Sequence, residues 1–274
     1  MKLKCGVLTL TEKEYRKHPA ISRTQLFKLK DSPEKFKYFE ENPEPLTPSL
    51  TFGQLLHAIV LQPETVGEQF AVAPNVDRRT KGGKEMWAEF EASAQGKTIV
   101  TADMADTAMA MRDKLFGNEL VKKLLNGEKE KPFFWTDELT GEECKCRVDC
   151  LTSVNGMDII VDLKTAENAD TDTFMRHAIN YGYNLQAAMY SEGVRKCTGK
   201  ECAFVFVVIE KKPPYAINIL QADKAFTLHG FDMFRELIGT YHECKASGNW
   251  WGYLGKHDMI NTLSLPAWLA KEIE

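Results

Sequence analysis

The chain has no apolar run of about 18 residues, the length a membrane-spanning helix needs, so no membrane span is expected. Its opening stretch, MKLKCGVLTLTEKEY, holds only a short apolar patch broken by Thr and Glu, which argues against a signal peptide. It carries no internal repeat and no low-complexity segment, so repeat arrays and disordered tails are excluded. Positive charge is not in excess. The 35 Lys and Arg against 39 Asp and Glu leave a net charge of −4, so any affinity for nucleic acid has to come from local basic patches. Cysteine is scarce and odd in number, 7 in 274 residues, which does not suit a disulfide framework. Reduced thiols in a cytoplasmic protein are expected.

What is present is an ordinary globular composition, 43% apolar and 27% charged, on a chain long enough to bury a core without staples. The first third reads as helical. Ser22 followed three residues later by Gln25 is a capping-box pattern, and apolar residues recur at Leu26, Phe27, Leu29, Phe36 and Phe39 with a break at Ser32-Pro33. NPEPLTPS reads as a connector, and LTFGQLLHAIVLQP as a helix ended by Pro63. A basic, Gly-containing loop, DRRTKGGK, feeds a helix, and residues 101 to 126 read as another that stops at Gly127. The period then changes. KPFFWTDE, ECKCRVDCLT and MDIIVDLKT read as strands, residues 170 to 195 as one long helix, CAFVFVVIE and YAINILQA as two more strands, and about 223 to 246 as a final helix. CAFVFVVIE is nearly all apolar and reads as buried on both faces. One domain over 1–274 is expected: a mainly helical part, 1–126, an α/β core, 131–246, and a tail, 247–274.

Asn155-Gly156 is a strong two-residue hairpin signal. If it is the turn, Val154 faces Met157, and counting back along both strands sets Asp149 opposite Asp162 and Arg147 opposite Lys164. Opposed residues have Cβ atoms about 4.5–5.5 Å apart. Two carboxylates at that distance repel. The other face, Val148, Cys150, Val161 and Leu163, reads as core, and the thiols of Cys144 and Cys146 share its parity. A divalent cation between the acids relieves the repulsion, since hard cations prefer carboxylate oxygens. Without one, the same residues would be an exposed polar sheet face.

RVDCLT followed by IIVDLKT resembles the PD-(D/E)XK nuclease superfamily, with an acid on one strand and D-x-K on the next. NLQAAMY, from Asn184 to Tyr190, resembles the Q-x-x-x-Y motif of its RecB-like branch, and FGQLLHAIVLQP resembles the G-x-x-x-H helix that precedes the acids there. With ISRTQL and DRRTKGGK the similarity extends over most of the chain and is nearest to the RecE-type phage recombination exonucleases, the exonuclease VIII group. It implies an α/β restriction-endonuclease-like core: a three-stranded antiparallel meander, a helix, two further strands and a helix, with a helical N-terminal part.

On this resemblance His57, Asp149, Asp162 and the Leu163 carbonyl are metal ligands for Mg²⁺ or Mn²⁺. By composition alone His57, flanked by Leu55, Leu56, Ile59 and Val60, would be a core histidine; Gly53, one turn earlier, leaves room beside it. Lys164 orients or helps deprotonate the attacking water and stabilises transition-state charge. Gln186 and Tyr190 share one helix face and either contact DNA or brace the site. Arg78, Arg79, Lys81 and Lys84 are candidates for phosphate contact. Ser22, capping the first helix, is a candidate for the 5′-phosphate, with Arg23, Lys28 or Lys30 as its basic partner. No iron–sulfur cluster is expected: Cys197 and Cys202 follow the Q-x-x-x-Y motif, but the C-terminal cysteine grouping is missing. The resemblance further implies digestion of linear double-stranded DNA 5′ to 3′ to leave 3′ single-stranded tails, a ring-like homo-oligomer, a RecT-like single-strand annealing partner, and a bacterial phage or prophage setting. Two alternatives stand beside it: a RecB-like nuclease acting on single strands or with a helicase, and a non-catalytic DNA-binding or assembly module.

Overall fold

Asn155 and Gly156 both have positive φ, 52° and 78°, the backbone a two-residue hairpin turn requires. In the computed structural model, which describes residues 12–257 and 260–265 together with Gly6 and Leu10, this turn joins β5 (Glu143–Val154) to β6 (Met157–Ala166). The antiparallel register runs from Val154↔Met157 to Cys150↔Val161, as the turn predicts. The strand β4 (Glu128–Thr136) pairs antiparallel with β5 and completes a three-stranded meander.

Ahead of the meander lie α1 (Glu12–Lys17), β1 (Ile21–Ser22), α2 (Arg23–Leu29), α3 (Pro33–Glu41), α4 (Pro48–Leu61), a 3-10 turn (Pro63–Thr65), α5 (Val66–Gln69), β2 (Phe70–Val72), α6 (Lys81–Ser93), β3 (Thr98–Val100), α7 (Ala102–Phe116) and α8 (Glu119–Leu124). After it come α9 (Thr171–Asn180), α10 (Tyr183–Thr198), β7 (Ala203–Glu210), β8 (Ile217–Gln221) and α11 (Lys224–Ser247). The main sheet is mixed, β1-β5-β6-β7-β8 with β4 on β5. β6 and β7 run parallel, as a helical crossover demands, and β8 returns antiparallel. β2 and β3 form a small parallel pair. The fold is α/β, a mixed sheet covered on both faces, with a helical N-terminal region.

Two apolar layers sandwich the sheet. One is built by α2, α9, α10 and α11 against Phe133, Trp135, Ile160 and Phe206. The other is built by α4, α7 and α8 against Cys150, Val161, Leu163 and Val207. Every residue of β7 from Phe204 to Ile209 is buried, since both of its faces are covered.

Several expectations need correction. The helix expected over 101 to 126 is two, because Asn118 caps a new start with its side chain on the Leu120 and Val121 N–H groups. The helix over 170 to 195 is also two, because Gly182 takes a left-handed conformation between α9 and α10. Thr47 and Pro48 of the connector open α4 as N-cap and first helical residue. Val148 and Cys150 do not share a core: they fall in different apolar layers. β5 turns over near Asp149, opposite Glu130, whose φ is 50°. Arg147 therefore meets Glu130, at 2.6 Å, rather than Lys164. Cys144, Cys146, Cys150, Cys202 and Cys244 are free thiols, but Cys197 is disulfide-bonded. Its sulfur sits beside the Phe134 carbonyl, on the strand position that bridges to Gly6. Residues 258–259 and 266–274 of the expected tail, and most of residues 1–11, lie outside the described residues. Among the described residues, no helix is long and apolar enough to cross a membrane.

The left-handed corner at Gly182 yields a stability test. A Cβ there would lie 2.4 Å from the Phe27 ring, whereas one at Gly156 would meet nothing within 4 Å. Gly156→Ala should cost only the left-handed penalty of about 1–2 kcal/mol. Gly182→Ala should cost more, since the clash adds to the same penalty. Urea denaturation of the two variants measures the difference, and equal losses would show that Phe27 does not restrain the corner.

Candidate active site

On the edge opposite the one that pairs with β4, β5 has two successive partners. β6 occupies that edge from Val154 to Cys150, and β1 takes it at Lys145 and Cys144. The two strands of the hairpin therefore part company at Asp149 and Asp162, the next pair in register. Asp149 Oδ2 accepts the Leu163 N–H at 2.8 Å, so a carboxylate replaces the backbone ladder where the strands separate. Asp149 and Asp162 are both buried, at 8% and 1% exposure.

The fork collects groups from three further elements, α4, β4 and α10. His57 comes from α4, and its Nε2 lies 2.7 Å from the Leu163 carbonyl oxygen. The tautomer with a proton on Nε2 donates there and leaves Nδ1 as an acceptor, 3.6 Å from Asp149 Oδ2. Glu130 comes from β4, opposite Asp149 in the register between Lys129↔Cys150 and Lys131↔Val148. Ligand atoms of His57, Glu130 and Asp149 all lie within 4.8 Å of one another, a group that could hold a metal ion. On the other side of the fork, Lys164 Nζ lies 2.5 Å from Asp162 Oδ2, and Gln186 of α10 donates its amide to Asp162 Oδ1. Tyr183, one helical turn before Gln186, places its ring 4.8 Å from Lys164 Nζ. Tyr190 packs edge-on to Phe204, with centroids 6.4 Å apart.

Burial and neighbouring charges together set the protonation of these groups. Burial, followed by the charges of Asp149 and Asp162, pushes the Glu130 carboxyl up, the Arg16 guanidinium opposes that shift, and Arg147 lies 2.6 Å from the same carboxyl. Burial also pushes Asp162 up; Lys164 opposes that shift and Asp149 adds to it. Burial favours a neutral Lys164, but the negative charge of Asp162 and its neighbours outweighs this and holds the ammonium above the usual lysine value. A charged lysine can donate a proton or a hydrogen bond but cannot act as a base. The acceptors left facing one another, His57 Nδ1 and the carboxylates of Glu130 and Asp149, form a mixed N and O donor set that suits a divalent cation.

The other sequence candidates lie elsewhere. Ser22 is engaged by its own helix: its Oγ donates to Gln25 Oε1 at 2.7 Å and accepts the Gln25 N–H, completing the capping box. Lys28 lies 5.8 Å from the Phe39 ring and Lys30 lies 5.5 Å from the Phe27 ring. Of the three basic candidates, Arg23 turns toward the site: it lies 5.6 Å from the Tyr183 ring and donates to the carbonyls of Tyr181 and Gly182. Arg78 covers Trp87 at 4.1 Å, and Arg79 is held by both Asp77 oxygens. Lys81 and Lys84 are exposed on α6. No hydrogen bond or ion pair among the described residues links these four to the acids. Glu130, Arg23 and Tyr183 are the residues that the sequence candidates lack or leave open. Register could have found Glu130, and helical spacing from Gln186 could have found Tyr183.

Residues 22–262 match the family model described as PDDEXK-like domain of unknown function (DUF3799). The structure resembles the crystal structure of a putative exonuclease from Eubacterium rectale, at 16% identity and a TM-score of 0.62, over 94% of this chain and 97% of that one. SSO0001 aligns over 83% of this chain and 81% of its own, at 15% identity and a TM-score of 0.36, too distant to bear on the site. No curated protein matches the chain.

The donor set is testable without activity. Mn²⁺ titrated calorimetrically should bind the wild type, and His57→Ala, Glu130→Gln and Asp149→Asn should each weaken binding about tenfold or more. A variant that binds Mn²⁺ as the wild type does would remove its residue from the set.

Proposed function

Because this chain belongs to the PDDEXK-like family DUF3799, we propose that it is a Mg²⁺-dependent exodeoxyribonuclease of RecE type. In this reading it digests linear double-stranded DNA 5′ to 3′ and leaves 3′ single-stranded tails. The observation that carries the reading is the fork itself. Two buried aspartates meet at the point where their strands separate, one joined to His57 and Glu130 and the other to a charged lysine. The Eubacterium rectale protein of like fold carries the name putative exonuclease, and the proposal extends that class of activity to this chain.

His57, Glu130 and Asp149 would hold the metal, with Asp162 and the Leu163 carbonyl as further oxygen donors. When bound, the metal supplies Lewis-acid chemistry, lowering the pKa of a coordinated water and polarising the scissile phosphate. Lys164, kept charged by Asp162, donates to the phosphoryl oxygens and stabilises negative charge as it develops. Gln186 holds Asp162 in orientation through its amide, so it acts as a positioning residue. Tyr190 braces the same helix against β7. Arg23 is the basic group best placed to meet a 5′-phosphate, since Ser22 is occupied by its cap. Arg78, Lys81 and Lys84, exposed around the start of α6, are candidates for phosphates farther along the duplex. A ring-like homo-oligomer and a RecT-like annealing partner complete the proposed setting, in the cytoplasm of a bacterium carrying a phage or prophage.

Digestion of linear and circular duplexes with Mg²⁺ tests this reading. Linear DNA should be degraded and circles spared, with 5′-phosphate ends cut faster than 5′-hydroxyl ends. Lys164→Met and Asp162→Asn should each lower the rate about 100-fold or more while melting close to the wild type. Cutting of circles would exclude an exonuclease. Full activity in either variant would exclude the assigned chemistry, and digestion of single strands alone would favour the RecB-like alternative.

A further inference from the structure

The groups proposed to cut are deep. Asp162 is 1% exposed, and the Lys164 side chain 15%. A strand whose end has unpaired can bring a phosphodiester closer to groups this buried than a paired end can, and its separated bases lose their stacking. That loss has to be offset on the protein surface beside the lysine.

The surface there is aromatic. Tyr183 receives Lys164 Nζ over its ring at 4.8 Å. Tyr181 stacks beyond it, with centroids 6.2 Å apart and planes at 30°. His177 buttresses Tyr181 at 4.4 Å and also stacks on Tyr183 at 6.3 Å. Tyr181 is the outermost of these rings, at 56% exposure. Its backbone is nonetheless fixed, since Arg23 donates to the carbonyls of Tyr181 and Gly182, and Phe27 packs against Gly182. An exposed tyrosine by itself is common. This one is anchored at its backbone by a guanidinium, supported by two rings, and joined through one of them to the lysine of the D-x-K pair. Arg23 and Lys164 place two cations beside the Tyr183 ring.

We propose that Tyr181, supported by His177 and Tyr183, is a stacking platform for one unpaired nucleobase of the strand being cut. The proposal rests on the nuclease reading above and names how that site receives its substrate. Stacking needs only the π face of a base, so the platform is tolerant of sequence.

Single-turnover digestion of a linear duplex by the wild type, Tyr181→Phe, Tyr181→Leu and Tyr181→Ala tests it. The experiment is repeated with an abasic residue at each terminal nucleotide in turn. Tyr181→Ala and Tyr181→Leu should be slower than the wild type by about 10- to 100-fold on intact DNA, and Tyr181→Phe close to it. At one position, removing the base should slow the wild type more than it slows Tyr181→Ala, by that same factor, because the two losses are of one interaction. Wild-type rates in Tyr181→Ala, or losses that add at every position, would overturn the platform and leave the nuclease reading standing. A wild type that digests no form of DNA with Mg²⁺ or Mn²⁺ would overturn both.

Discussion

One hydrogen bond organises the centre of this fold: the Asp149 carboxylate accepting the Leu163 N–H. A hairpin that continued past Cys150↔Val161 would satisfy that N–H with backbone and bury two opposed aspartates against each other. Instead a side chain takes the place of the ladder, β5 turns toward β1, and β6 continues along β7. The strands part, and the acids come to line a fork rather than a seam. Every other feature of the site depends on this. His57 reaches the Leu163 carbonyl because the neighbouring strand no longer covers it. Glu130 reaches Asp149 because both strands lose their regular pairing at that step.

Such a fork is costly. Burial of Glu130 and Asp162 favours their neutral forms, the charges of Asp149 and Asp162 add to the shift of Glu130, and Asp149 adds to that of Asp162. Protein cations answer part of it. Lys164 stands against Asp162 and Arg147 against Glu130. Asp149 has the Leu163 N–H and, at 3.6 Å, an imidazole nitrogen that is itself an acceptor in the tautomer bonded to Leu163. Ligand atoms of His57, Glu130 and Asp149 converge on one side of the fork, within reach of a single ion. Buried acids gathered beside an imidazole offer a donor set for a cation, which a pairwise ion-pair network would not.

The parts of this arrangement legible in the sequence are those fixed by local rules. Asn155-Gly156 determines the hairpin register because few other dipeptides tolerate two positive φ values in succession. Ser22 and Gln25 form their capping box because the pattern is complete within four residues. The hydrophobic run of β7 announces a central strand. What was not legible depends on partners distant in sequence. Glu130 lies in EKEKP, an unremarkable charged run, and becomes a site residue only through its pairing with β5. The change of face between Val148 and Cys150 breaks strict alternation, and alternation was the rule used to read that strand. The break at Gly182 was hidden because α9 and α10 both have helical periodicity, and a single glycine within a helical pattern is usually tolerated.

That same break gives α10 its function in the architecture. Starting a new helix at Tyr183 redirects the chain, so that Tyr183 and Gln186, three residues apart, present one face to the fork. Gln186 holds the aspartate and Tyr183 contacts the lysine, so one helical turn sets both members of the buried ion pair. The preceding residues remain at the surface, where Tyr181 is exposed. Arg23 and Phe27 of α2 clamp the corner between the two helices. The N-terminal helices therefore support the site on both sides of the sheet: α2 through the α9–α10 corner, and α4 through His57. A displacement of α2 would reach Asp162 through Gly182 and Gln186, and a displacement of α4 would reach Asp149 through Leu163. The two halves of the fork are positioned by different helices but joined by consecutive residues of one strand, Asp162, Leu163 and Lys164, which is why so short a sequence element can serve as the centre of so long a chain.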